Sequence, residues 1–183
     1  YDEMTCSWVA GFQTEYLINE PVAETNMMGV RFKPGGAYPF FDFPISELSN
    51  FVIDMDVLWS GFIHEVRERL ACTPTVQGKF HLLEHILRQR LLDKRYGLDA
   101  VRYAVQQLTQ YEGQLAIRDL SDRIGISQKH LNTQFKKMVG VTPKSLAQVI
   151  RLQSVLNGID PRQPINWTDI AYRYHYYDQA HVN

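Results

Sequence analysis

"AIRDLSDRIGISQKHLNTQFKKMVGVTPKSL", residues 116–146, is the stretch whose spacing decides the fold. Ile117, Leu120, Ser121 and Ile124 recur at i, i+3, i+4 and i+7. That is one face of a short helix, and the small Ser121 lets a neighbour approach closely. Gly125 sits where this helix ends, and glycine takes up a left-handed turn there without a Cβ clash. Ser127 is a fitting N-cap for a second helix. Along that second helix Leu131, Phe135 and Met138 point one way. Lys129, Asn132, Thr133 and Lys136 also fall at i, i+3, i+4 and i+7, but about 140° away at 100° per residue. The pattern is a helix–turn–helix whose second helix, 127–138, carries a polar stripe.

A polar stripe is in most proteins only a solvated face. Here it comes with a small buried residue, a turn glycine and an N-cap, and the combination favours the major groove of duplex DNA. In that groove Lys donates to guanine and Asn pairs both ways with adenine. Ser127, Lys136 and Lys137 are expected at phosphates, which position a protein without specifying sequence.

The motif recurs. Shifted by about 50 residues in register, "IRDLSDRIGI" (117–126) lies over "WTDIAYRYHY" (167–176), with Asp119 on Asp169 and Arg123 on Arg173. The face Ile117, Leu120, Ser121, Ile124 falls on Trp167, Ile170, Ala171, Tyr174. With Tyr177 as one extra turn residue, "SQKHLN" (127–132) lies over "DQAHVN" (178–183), and Asp178 becomes a second N-cap. Between the copies, Pro143 to about Ile159 reads as a long helix through Leu146, Val149, Ile150, Leu152, Gln153 and Leu156, with proline first and Gly158 near the end. Such a helix would space two reading helices along one duplex face, where major-groove positions repeat roughly every 34 Å.

The stretches "IRDLSDRIGISQKHLNTQFKKMVGVTPKSLAQVIRLQSVL" and "WTDIAYRYHYYDQAHVN" resemble the DNA-binding domain of the AraC family of bacterial transcription regulators. The resemblance covers about 115–183. It implies two helix–turn–helix units joined by a long helix, and sequence-specific binding of double-stranded DNA. Carried over by position, Gln128, Lys129, Asn132 and Thr133 face the groove in the first unit. Gln179, Ala180 and Asn183 do so in the second. RNA polymerase, a small-molecule effector and a second copy of the chain are the further partners that it implies. Two departures stand out: His175 occupies the turn where the family usually has Gly, and Val182 replaces the usual Phe. The second unit, as it stands, lacks most of its reading helix.

Upstream, "CSWVAGFQTEYLI" (6–18) and "MMGVRFK" (27–33) read as strands, and "KPGGAYPFFDFP" as turns. The Pro-Gly-Gly run lacks the Lys-Ser/Thr of a phosphate-binding loop, so a tight turn is the better reading. From Ser46 the period becomes helical, with helices expected over Val57–Leu70, 79–95 and Leu98–Tyr111. Phe80, Leu83, Ile86, Leu87 and Leu91 mark the second of these as core-facing; too few heptads follow for a dimer seam. Trp8 and Trp59 are expected in the core. "GVRFKPGGAYPFF" with "PISELSNFVIDMDVLW" looks like the β-rich N-terminal domain of a subset of the same regulators, implying a sensing or dimerising role. Arg31 and Lys33 are read as exposed strand charges sooner than as an effector site.

The expected fold is therefore α+β: a β-rich N-terminal portion, then an all-α region ending in two helix–turn–helix units joined by a long helix. The expected domains are 1–95, a connecting helix 96–114, and a DNA-binding domain 115–183 cut short in its second unit. Without an initiator Met and beginning on a strand pattern, the 183 residues read as a fragment or a set of ordered segments.

Composition agrees. Hydrophobic residues make up 45% and charged residues 21%, ordinary for a globular chain. No apolar run approaches the roughly 20 residues of a membrane span, and no signal peptide opens the chain. Residues 1–112 carry 10 Lys/Arg against 15 Asp/Glu, whereas 113–183 carry 9 against 5. A basic C-terminal part on an acidic body suits a nucleic-acid module joined to another domain. Cys6 and Cys72 have no metal spacing, and a reducing cytoplasm fits them better than a disulfide. His81 and His85, with Glu84, have zinc-like i, i+4 spacing but lack a third ligand. No catalytic residue, metal or cofactor is expected. The competing readings are a metal-dependent or ligand-binding β-barrel enzyme and a protein–protein adaptor.

Overall fold

The computed structural model describes residues 7–15, 26–92 and 97–159. The described residues are mostly helical with one small antiparallel sheet, an α+β arrangement. Of the described residues, those up to 92 together with Lys136–Gly140 make one compact unit; 97–135 and 141–159 make the other. None of the described helices is long and apolar enough to cross a membrane.

In the first unit β1 (Trp8–Ala10) pairs with β2 (Val52–Asp54), Val9 opposite Ile53. Alternation turns Val9 inward and leaves Trp8 half exposed, at 50%, so Trp8 is not in the core. The segment 27–33 is not a strand either: Met27 and Val30 are exposed, Met28 and Phe32 are only half-buried, and Phe32 packs on the Phe40 ring and not on a neighbouring strand. Arg31 and Lys33 are accordingly exposed, but on extended chain outside any sheet. The Pro-Gly-Gly run is the tight turn expected of it. Gly36 N–H donates to the Lys33 carbonyl at 2.7 Å, and Gly35 supplies the positive φ, 80°, of a type II turn.

The helical period expected from Ser46 begins late. Ile45–Leu48 is one 3₁₀ turn and β2 follows it. The helix expected over Val57–Leu70 is split into α1 (Met55–Leu58) and α2 (Phe62–Cys72). Gly61, at φ 69°, breaks it between them. α3 (Val76–Arg90) starts earlier than expected because Thr75 caps it, its hydroxyl accepting from Gly78 N–H at 3.0 Å. Met55, Ile63, Val66 and Ile86 form one buried cluster, with Val9, Leu58, Trp59, Phe62, Leu70 and Leu82 against it, and Tyr38, Phe41, Ile45 and Leu48 are buried too. Phe80 and Leu91 lie outside it, exposed. Trp59 stacks on Phe41 and meets Phe62 edge-on, and the Arg90 guanidinium lies 4.7 Å from the Trp59 ring centre. His81 and His85 are exposed on α3, and Glu84 is paired with Arg88 at 2.6 Å. Cys72 is an exposed free thiol, and Cys6 lies outside the described residues.

Arg67 clamps the start of α1. Its guanidinium donates to both oxygens of Asp56 at 3.0 and 3.2 Å and to the Ser7 hydroxyl at 2.7 Å. The hydrogen bonds from Arg67 hold the Asp56 carboxyl below the usual carboxylate range, with the nearby His64 adding to the effect. A lowered pKa in the folded state means that this contribution is present above the unfolded value, about 3.9, and is lost as pH falls through the folded value. Asp56→Asn is therefore expected to lower stability at pH 7, and its deficit against the wild type to shrink below about pH 4 in acid unfolding followed by circular dichroism.

In the second unit α4 (Leu98–Gln110) buries Leu98, Val101, Ala104 and Leu108. It packs against α5 (Ile117–Ile124) and against α7 (Pro143–Gly158). The turn after α4 closes through Gly113, whose N–H donates to Leu108 O at 2.8 Å and whose carbonyl accepts from Arg151 at 2.8 Å. α7 is capped by the Thr142 hydroxyl, which accepts from Ser145 N–H at 3.1 Å. Its buried face is Pro143, Leu146, Ala147 and Val155, while Leu152 and Leu156 are more than half exposed. The apolar spacing thus located this helix and only part of its inner face.

Candidate nucleic-acid interface

Two short helices follow one another through Gly125, Ile126 and Ser127. α5 carries its buried face as its spacing dictates: Leu120 is fully buried, Ser121 is 2% exposed, and Ile117 and Ile124 are half-buried. The Ser121 hydroxyl donates to Arg118 O at 2.8 Å, so a polar side chain enters the core without an unmet donor. Gly125 is left-handed, at φ 77° and ψ 27°. Its N–H and that of Ile126 both donate to Ser121 O, at 3.0 and 3.2 Å, ending α5 in one step.

Ser127 then starts α6 (Gln128–Met138). Its hydroxyl accepts from His130 N–H at 3.2 Å and its carbonyl accepts from Leu131 N–H at 2.9 Å. Leu131 and Phe135 are fully buried and Met138 nearly so. The other face carries Gln128, Lys129, Thr133 and Lys136, all exposed, with Asn132 half-buried at its margin. Thr133 spends its proton on Lys129 O at 3.0 Å, which leaves its hydroxyl oxygen to accept. Gln128, Lys129, Asn132 and Thr133 are thus brought together on one helical surface, and Lys136 extends it by one turn. Lys137 diverges; in the first unit its ammonium lies 5.8 Å from the Tyr38 ring centre. Gln179, Ala180 and Asn183, with the whole second copy of the motif, lie outside the described residues.

Arg123, in the last turn of α5, lies over the Tyr111 ring at 5.7 Å and donates to the Gln107 side chain at 3.4 Å. A hydrogen bond with Tyr111 pushes its pKa up, so it is a permanent cation. Sequence spacing did not single out another feature of the second unit. A cavity of about 370 Å³ lies between the 113–117 connection and α7, lined in part by Lys144, Gln148 and Arg151. Those three stand at i, i+4 and i+7, a spacing that was legible but is equally that of any solvated helix face.

Comparison with known proteins reaches only the other end of the chain. No curated protein and no solved structure matches it. A family model described as a domain of unknown function, DUF6597, matches residues 1–54, the stretch from before β1 through β2.

Proposed function

We propose that this chain is a sequence-specific DNA-binding transcription regulator. α5, the Gly125 turn and α6 act as a helix–turn–helix, and α6 is the helix that reads the major groove. The observation that carries the reading is the two-sidedness of α6: Leu131 and Phe135 are fully buried, while Gln128, Lys129 and Thr133 stand exposed together on the opposite side. A helix held from behind and armed with donors and acceptors in front is what base-edge recognition requires. The resemblance of 115–183 to the AraC family supports the same reading and supplies its second half, the motif copy at 167–183. In this proposal Gln128, Lys129, Asn132 and Thr133 read bases, and Gln179, Ala180 and Asn183 do so in the second copy. Ser127 and Lys136 meet phosphates, α7 spaces the two copies, and the first unit carries the sensing or assembly role.

The test compares two kinds of substitution on DNA selected by the intact protein. Lys129→Ala or Asn132→Ala is expected to relax sequence preference, lowering discrimination at the contacted base by roughly 1–3 kcal/mol. Lys136→Ala is expected to weaken all sequences about equally and to flatten the salt dependence by about one phosphate contact. Equal effects of all three on selected and random DNA would defeat the assignment of α6 as the reading helix.

A further inference from the structure

The end of α6 is fastened within the first unit by contacts that have no bearing on helix formation. The Ser49 hydroxyl donates to the Gly140 carbonyl at 2.7 Å. Gly140 has a φ of 101°, and a Cβ there would stand 2.8 Å from Ser49 Oγ and 3.3 Å from Ile45. Only glycine admits both the backbone conformation and the close approach. Met138, Val139 and Ile45 are buried around this point. One turn back, Lys137 lies over the ring of Tyr38, itself only 5% exposed. The ring face attracts an ammonium through its quadrupole. Lys136, the adjacent residue, turns about 100° away along the helix and is exposed.

We propose that Tyr38, Ser49 and Gly140 form a clasp that keeps Lys137 off the DNA backbone, so that DNA affinity is set by the state of segment 38–49. This rests on the reading of α6 as a DNA-reading helix and takes Lys137 out of the phosphate-contacting set expected from sequence. The Ser49–Gly140 bond fixes the backbone at the end of α6, and the fixed backbone holds the Lys137 stem over the ring. Because the lysine is exposed, it needs no unfolding to change partners; a shift of segment 38–49 is enough. Any event in the first unit that moves that segment releases one more cation toward phosphate.

The experiment measures affinity for a selected DNA duplex and its salt dependence, using the full chain with variants at the exposed Lys136 and Lys137, at half-buried Ser49 and at buried Tyr38, each checked for folding by circular dichroism. Lys136→Gln is expected to flatten the slope of log affinity against log salt by about 0.9, and Lys137→Gln to leave it unchanged. Tyr38→Leu is expected to steepen the slope by about 0.9 and to tighten binding roughly threefold across a fourfold drop in salt. Ser49→Ala should move both in the same direction, and Tyr38→Leu combined with Lys137→Gln should return them to the wild-type values. If Lys137→Gln flattens the slope as much as Lys136→Gln does, Lys137 is already on the backbone and the clasp is refuted, whether or not the Tyr38 variant folds. Wild-type binding with an unaltered slope in folded Tyr38→Leu and in Ser49→Ala refutes it too, and leaves the DNA reading intact. If the wild-type chain binds no duplex at any salt, the DNA reading itself falls and the clasp with it.

Discussion

Phe135→Ala is expected to cost about 3–5 kcal/mol of stability. The side chain is fully buried, as are Leu131 and Leu120, and alanine leaves a cavity where the ring stood. The loss combines the lost transfer of the ring from water with the dispersion contacts that the cavity lining forgoes. Phe135→Leu keeps most of the volume and should cost much less. Urea unfolding followed by circular dichroism distinguishes the two, provided the slope with denaturant is the same for both. The functional consequence follows from the same helix. Phe135 is one of the buried anchors of α6, so under the proposed reading its loss should blunt DNA selection although none of the side chains proposed to read bases has changed.

Gly113→Ala should rank beside it, at roughly 2–5 kcal/mol, by a different mechanism. Gly113 has a φ of 73°, and a Cβ built on it would stand 2.1 Å from the Ala147 carbonyl oxygen on α7. Left-handed backbone alone costs an L-residue about 1–2 kcal/mol, and overpacking a tight site adds about 1–3. Relief requires the turn after α4 to move away from α7, which also breaks the Arg151 bond to the Gly113 carbonyl. Gly125 separates the two contributions. It has nearly the same φ, 77°, but nothing lies within 4 Å of its Cβ position. Gly125→Ala should therefore show the backbone strain without the clash. Equal losses at the two glycines would mean that the approach of α7 to Gly113 contributes nothing.

The parts of this fold that sequence reveals are those decided locally. Gly125 and Ser127 mark one helix end and the next helix start within three positions, and both do so through backbone geometry and a side-chain cap that neighbours in sequence supply. The stripe of Lys129, Asn132 and Thr133 is legible for the same reason, since 3.6-residue periodicity fixes which side chains share a face. Strands are another matter. "MMGVRFK" has strand-like residues, but a strand needs a partner edge, and composition does not supply one. Trp8 looks like a core residue by type, yet its place in the β1–β2 register turns it to solvent. On α7 size was a partial guide: Leu146 is buried as its type suggests, but Leu152 and Leu156 are more than half exposed while small Ala147, beside Gly113, is buried. The partner of Lys137 was out of reach by the same logic. The fastening of α6 joins residues 91 apart, Ser49 and Gly140, and no local pattern links them.

The most direct measurement is to pass sheared genomic DNA over the immobilised full-length chain, sequence what is retained, and repeat across a salt series. The account predicts a retained set that shares a common sequence, elutes steeply as salt rises, and broadens when Lys129 or Asn132 is replaced by alanine. Failure to retain any fragment at low salt, or retention without sequence preference that those substitutions leave unchanged, would contradict it.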